Sequence, residues 1–225
     1  MLVFPVASRV LPFATFIGLM ILESVLKWSN PSYYEEIRHF LYPVRVVITA
    51  VVLLWLWIVV EKYRPSWRGM TSSSVLMALV AGFAVIVFWI AVGPLFRIGT
   101  PSAVNPVPQD PTWGALWLLS RFVGAALLVP IIEELFWRSY LARRIDVEEV
   151  DRLSPHHLSW RAIIASSIAF GLEHSEVLAG ALSGVVFCWL YKRYGDLRVA
   201  VLAHAAANAI LFAYVVKYSA FGFWG

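Results

Sequence analysis

The chain has 225 residues, of which 60% are hydrophobic and only 14% charged, whereas soluble domains carry about 45–50% apolar and about 25% charged residues. Apolar runs recur along the whole length, which excludes a soluble globular enzyme, and continuous runs such as VVITAVVLLWLWIVV lack the alternation of a transmembrane β-barrel. The net charge of +4 is spread over short loops without a basic stripe or interleaved aromatics, so the composition offers a lipid bilayer as partner and no nucleic acid.

The hydrophobic pattern predicts an all-α, polytopic transmembrane bundle of about seven helices, with six and eight as the bounds. The spans fall at about 8–26, 43–62, 73–96, 113–143, 160–175, 176–193 and 197–217. The first has no clear small-residue cleavage site and reads as a retained helix. The Pro-rich stretch RIGTPSAVNPVPQDPTW separates residues 1–112, which carry no motif, from the motif-dense residues 113–225, and the two parts form one integral membrane domain. The fifth and sixth spans are short and closely joined, as expected of helices partly sunk into the protein. Between the fourth and fifth lies the longest polar stretch, IDVEEVDRLSPHHLSW, which reads as a surface loop or short helix. The eleven tryptophans suit interfacial belts. A single cysteine, Cys188, permits neither an internal disulfide nor a cysteine-based metal cluster and reads as a buried helix residue.

Basic residues give an orientation. With the N-terminus cytoplasmic, the inside holds twelve: Arg9, Lys62, Arg64, Arg68, Arg138, Arg143, Arg144, Arg152, Arg161, Lys192, Arg193 and Arg198. The outside holds five: Lys27, Arg38, Arg45, Arg97 and Lys217, with Arg121 left within the membrane. The bias predicts a cytoplasmic N-terminus.

Three polar groups interrupt the apolar helices. The first is Glu133, Glu134 and Arg138 in PIIEELFWR. Glu134 and Arg138 are four apart and share a helix face, while Glu133 lies about 100° round the axis. An interfacial salt bridge would explain Glu134 with Arg138, but not the second carboxylate. The second group is Phe170 and His174 in SSIAFGLEHSE. The histidine could equally be interfacial or bonded to backbone, and Glu173 and Glu176 beside it are expected to be solvated or interfacial. The third is His204 and Asn208, four apart within VAVLAHAAANAILFAYVV. They share a face lined by alanines and could simply hold helices together. At 1.5 Å per residue, Glu133, His174, His204 and Asn208 lie roughly 16, 21, 10 and 16 Å from the same end of their helices. That common depth predicts one intramembrane polar cavity, because charged residues in such segments face a cavity or a partner.

This set of side chains suits hydrolysis by water rather than by a covalent nucleophile, since no serine or cysteine has an evident partner. A glutamate can serve as general base, an imidazole can orient the water or pass a proton to a leaving amine, and an imidazole with an amide can stabilise an oxyanion. Which glutamate is the base stays open on geometry alone. Zinc on one glutamate and two histidines is an alternative, although the HExxH helix is absent. A proton-coupled transporter is another, although no repeat of broken helices is present.

The ordered trio EExxxR, FxxxH and HxxxN resembles the CAAX prenyl endopeptidases and their bacterial relatives, the CPBP or Abi family. It stands here as Glu133-Glu134-Leu-Phe-Trp-Arg138, Phe170-Gly-Leu-Glu-His174 and His204-Ala-Ala-Ala-Asn208, over about residues 113–217. The compact size and aromatic-rich N-terminal helices are similar to the CAAX-protease-related proteins that accompany exosortase systems. The resemblance implies a helical fold around a conical cavity open toward cytoplasm and lipid. It also implies peptide hydrolysis without a metal or other cofactor. By motif position it makes Glu133 the base and His174 its helper in activating water. His204 and Asn208 become the oxyanion site, Glu134 and Arg138 supports, and Phe170 a pocket wall. The substrate would be a membrane-associated peptide or protein, lipidated or membrane-anchored. Family members that act as non-catalytic scaffolds or bacteriocin-immunity proteins supply the alternative function.

Overall fold

The computed structural model describes residues 3–59, 70–101 and 104–224. Lys62, Arg64 and Arg68, which contribute to the charge bias, lie outside the described residues. Among the described residues there are seven principal helices and no strand. They are α1 (Val3–Ser29), α2 (Pro31–Val59), α3 (Ser72–Val92), α4 (Pro111–Asp146), α5 (Trp160–Leu172), α6 (Val177–Tyr194) and α7 (Leu197–Tyr218).

Local chemistry sets most of the boundaries. Only Asn30 separates α1 from α2; its side chain accepts from the Tyr33 amide at 3.2 Å, and Pro31 follows at the first helical position. Helix α2 therefore begins twelve residues before the predicted span. Its first turns, PSYYEEIRHFLY, are too polar to register as membrane-spanning yet contain no helix stop, and Glu35 and Arg38 pair across one turn at 3.0 Å. Thr71 caps α3 and Asp110 caps α4, where Pro111 again follows. Ser159 caps α5 and is itself held by Asp146 at the end of α4. Asp196 caps α7. Gly195, with φ +66°, ends α6 in the left-handed conformation that glycine adopts without strain.

Among the described residues, five helical segments are long and apolar enough to cross a membrane: Val6–Ser29, Pro31–Ile58, Ser72–Phe96, Pro111–Asp146 and Leu197–Tyr218. The chain is an integral membrane protein. Helix α5, with 13 residues, reaches about 20 Å, short of the roughly 30 Å hydrocarbon core. It packs along α6 as a hairpin inside the bundle. Gly171 and Gly184 allow this approach, since a Cβ at either would stand 2.6 Å from the Val177 oxygen and 2.9 Å from the Ser167 backbone.

Helices α3 to α7 pack around one another, and the α1–α2 hairpin covers the outer side of α4. Cys188 is fully buried in the main apolar cluster, with Phe187, Leu190 and Ala203. Arg138 departs from its place in the charge count. It is a buried interior residue and carries no topological information, so the bias loses one of its twelve members.

A close helix contact joins α3 to α7. A Cβ built on Gly82 would lie 2.3 Å from the Ala203 carbonyl oxygen, a backbone atom that cannot swing aside. Gly82→Ala is expected to cost about 1–3 kcal/mol by forcing the helices apart. Gly18→Ala, where a Cβ meets open space, is expected to leave the melting temperature unchanged. Thermal denaturation of the two variants in detergent checks the pair.

Candidate active site

Helix α4 is irregular around the glutamate pair. Residues Val129–Glu134 are α-helical, but they are flanked by π-helical turns at Val123–Leu128 and Leu135–Ala142. Such turns are uncommon and recur at functional sites. The cause of the first lies in the sequence. The Val129 amide bonds back to the Gly124 oxygen, five residues away. The next donor in that pattern would be residue 130, which is proline and has no N–H. The Ala125 carbonyl thus loses its helical partner, and the Asn208 side-chain amide donates to it at 2.8 Å. A proline on α4 in this way anchors an asparagine on α7.

Glu133 and Glu134 are both buried, with exposures of 7% and 0%. Their surroundings differ. Glu134 lies 3.1 Å from the Arg138 Nε through one oxygen, while its other oxygen accepts from the His204 Nδ1 at 2.9 Å. The Arg138 guanidinium sits over the Phe170 ring at 4.3 Å and the Phe187 ring at 5.5 Å. Its charge is thus held between two aromatic faces and one carboxylate. Glu133 makes no such commitment. Its Oε2 has no hydrogen-bond partner and lies 3.8 Å from the His204 Nε2.

The histidines are oriented by what their Nδ1 atoms face. His174 Nδ1 is 2.9 Å from the Phe170 carbonyl oxygen, which can only accept. The ring therefore donates from Nδ1, and in its neutral form leaves Nε2 as an acceptor. The ring is further held by Phe170, at 4.7 Å between centroids, and by Trp89 of α3, edge-on at 5.3 Å. His204 donates from Nδ1 to Glu134 and stacks on Phe187 at 4.8 Å.

Glu133, Phe170, His174, His204 and Asn208 line a single cavity of about 60 Å³, with Glu134 and Arg138 behind its wall. The cavity is polar on the α4, α5 and α7 sides and apolar on the α3 side, where Val85, Ile86 and Trp89 close it. Ser183 and Phe187 of α6 complete the lining. This volume suits a few water molecules and no peptide. It is far smaller than the open cone implied by resemblance, and Trp89 and Leu211 line it beside the polar residues.

Of the two neighbouring glutamates, Glu176 departs from expectation. Glu173 accepts from the Trp137 indole at 3.1 Å and is half-buried. Glu176 is buried in an ion pair with Arg97, just beyond α3. Arg97 reaches Glu176 because the chain after α3 runs against the turn between α5 and α6, where the Ile98 amide donates to the Ser175 carbonyl at 2.8 Å. Neither contact is visible in the sequence, since Glu176 and Arg97 lie 79 residues apart. The contribution of α3 to the cavity was also hidden, because its lining residues are apolar. Among the described residues, no group of three His, Cys, Asp or Glu side chains is arranged to hold a metal ion.

All seven motif residues fall within a segment that matches a known family. Residues 115–210 match the model of the Rce1-like family, type II CAAX prenyl endopeptidase Rce1-like. The match agrees with the resemblance carried by the three motifs, and it starts at the fourth helix, leaving α1 to α3 outside. This is a family of membrane proteases. No curated protein and no solved structure gives a match.

Proposed function

We propose that this protein is an intramembrane endopeptidase that cleaves a membrane-associated peptide or protein with a water activated by Glu133. One observation carries the reading. Within the segment matched to a protease family, Glu133 lines the cavity, while Glu134 is absent from the lining and is held by Arg138 and His204.

In the proposed reaction Glu133 takes a proton from water and the resulting hydroxide attacks the peptide carbonyl carbon. His174 accepts at Nε2 to hold that water. His204 and the second N–H of Asn208 donate to the oxyanion. Because the His204 Nδ1 is committed to Glu134, it serves from Nε2, with both nitrogens protonated in that step. The proton held by Glu133 then passes to the departing nitrogen as the C–N bond breaks, giving a carboxylate and an amine. No metal or other cofactor takes part. The end of the bundle that carries Arg144, Arg152, Arg161 and Arg193 faces the cytoplasm.

The test uses protein reconstituted in liposomes and a panel of quenched fluorescent peptides, with and without a prenylated C-terminal cysteine. His174→Ala is expected to lower turnover by about 10²- to 10⁴-fold, the usual contribution of a positioned acid–base group. Zinc measured by mass spectrometry is expected below stoichiometric levels in wild type and variant alike. One zinc per chain, lost with His174, would overturn the metal-free account. The small cavity favours a second reading, a non-catalytic membrane scaffold or immunity protein. That reading wins if a cellular phenotype of the wild type persists in a folded Glu133→Ala strain.

A further inference from the structure

A larger cavity lies elsewhere. It has about 480 Å³ and lies at the end of the bundle where α1 finishes and α2 and α4 begin, and it shares no residue with the candidate active site. We infer that it is a binding site for an anionic phosphate group.

The charge of the lining is the first argument. Four cations, Lys27, Arg38, Arg45 and Arg121, face two carboxylates, Glu23 and Glu35. The carboxylates are already taken: Arg45 pairs with Glu23 at 3.3 Å and Arg38 with Glu35 at 3.0 Å. Lys27 and Arg121 have no acidic partner among the described residues. The site therefore holds an uncompensated double positive charge beside low-dielectric walls, which attracts an anion.

Unused donors are the second argument. Arg121 lies over the Tyr42 ring at 4.5 Å and the Trp224 ring at 5.2 Å, and donates once, to the Trp224 carbonyl at 3.2 Å. Its Nε is buried with no partner. Trp117, only 5% exposed, also lines the cavity and leaves its indole Nε1 unpaired. Buried donors without acceptors are uncommon in folded proteins. A tetrahedral oxyanion supplies several acceptors at once, and arginine recognises phosphate through its planar fork. The position at the ends of the membrane helices, among tyrosines and tryptophans, gives the ligand two sources: a phospholipid headgroup or free phosphate.

The test uses the full chain, purified in detergent and delipidated. Native mass spectrometry follows titration with phosphatidylglycerol or phosphatidylcholine, and thermal melting follows addition of inorganic phosphate. Wild type is expected to retain phosphatidylglycerol over phosphatidylcholine. Arg121→Gln is expected to weaken that retention about tenfold, the scale of one charge-assisted hydrogen bond. Stabilisation by phosphate that disappears in Arg121→Gln assigns the free anion; selective retention of phosphatidylglycerol alone assigns the lipid. Lys27→Gln, at the exposed rim, tests the same charge without disturbing the interior should Arg121→Gln fail to fold. Equal retention of both lipids with no effect of phosphate, or wild-type affinity in every folded variant, overturns the inference.

Discussion

Glu133→Gln is expected to abolish hydrolysis while leaving the protein folded and close to wild type in thermal stability. The substitution keeps the shape of the side chain and removes the group that accepts the proton from water. Loss of a general base costs about 10²- to 10⁴-fold in rate. The fold should tolerate the change because Glu133 holds nothing in place: its Oε2 has no hydrogen-bond partner, and its approach to His204 is a long 3.8 Å. Replacing a buried carboxylate by an amide at such a position also removes the cost of desolvating a charge. Glu134→Gln should behave in the opposite manner. It leaves Arg138 buried without its counter-charge and loosens the 2.9 Å bond that orients His204, so stability falls first and activity follows. Parallel measurements of peptide turnover and thermal melting separate the two glutamates. Turnover by Glu133→Gln within a few-fold of wild type would remove it as the base, whatever Glu134→Gln does.

That distinction was half legible in the sequence. The four-residue interval between Glu134 and Arg138 is a property of helical geometry, and the structure keeps the pair on one face at 3.1 Å. The convergence of Glu133, His174, His204 and Asn208 on one cavity also followed from their common depth in apolar helices. The partner of Glu134 on α7 did not. His204 could have faced either carboxylate, because a helix rotation of a few tens of degrees decides it, and the π-helical turns of α4 set that rotation through hydrogen bonds that no periodicity encodes. The link from Pro130 through the Ala125 carbonyl to Asn208 is of the same kind. Its components are plain in the chain, but the missing amide becomes informative only once the backbone shows which carbonyl it strands. The burial of Glu176 was illegible for another reason. Its partner Arg97 belongs to a different part of the fold, and composition alone assigns a glutamate at a helix boundary to solvent.

Arg138→Met is expected to destabilise the protein by about 3–5 kcal/mol, the usual consequence of removing one partner of a buried ion pair. Methionine retains much of the length needed to pack between Phe170 and Phe187, so the loss is dominated by charge rather than by a void. Glu134 would then stand fully buried with only His204 to compensate it. The double variant Glu134→Gln/Arg138→Met removes both charges and is expected to recover a large part of the stability, since apolar or neutral replacements of a buried pair are often nearly neutral. Activity should not recover with it, because His204 would have lost the carboxylate that fixes its Nδ1 proton and ring orientation. Equilibrium unfolding of the wild type, both single variants and the double variant gives the coupling energy between the two positions. Additive losses would mean that Arg138 acts through its aromatic contacts alone; a strong positive coupling with activity still absent would show that the ion pair holds His204 in place as well as holding α4 together.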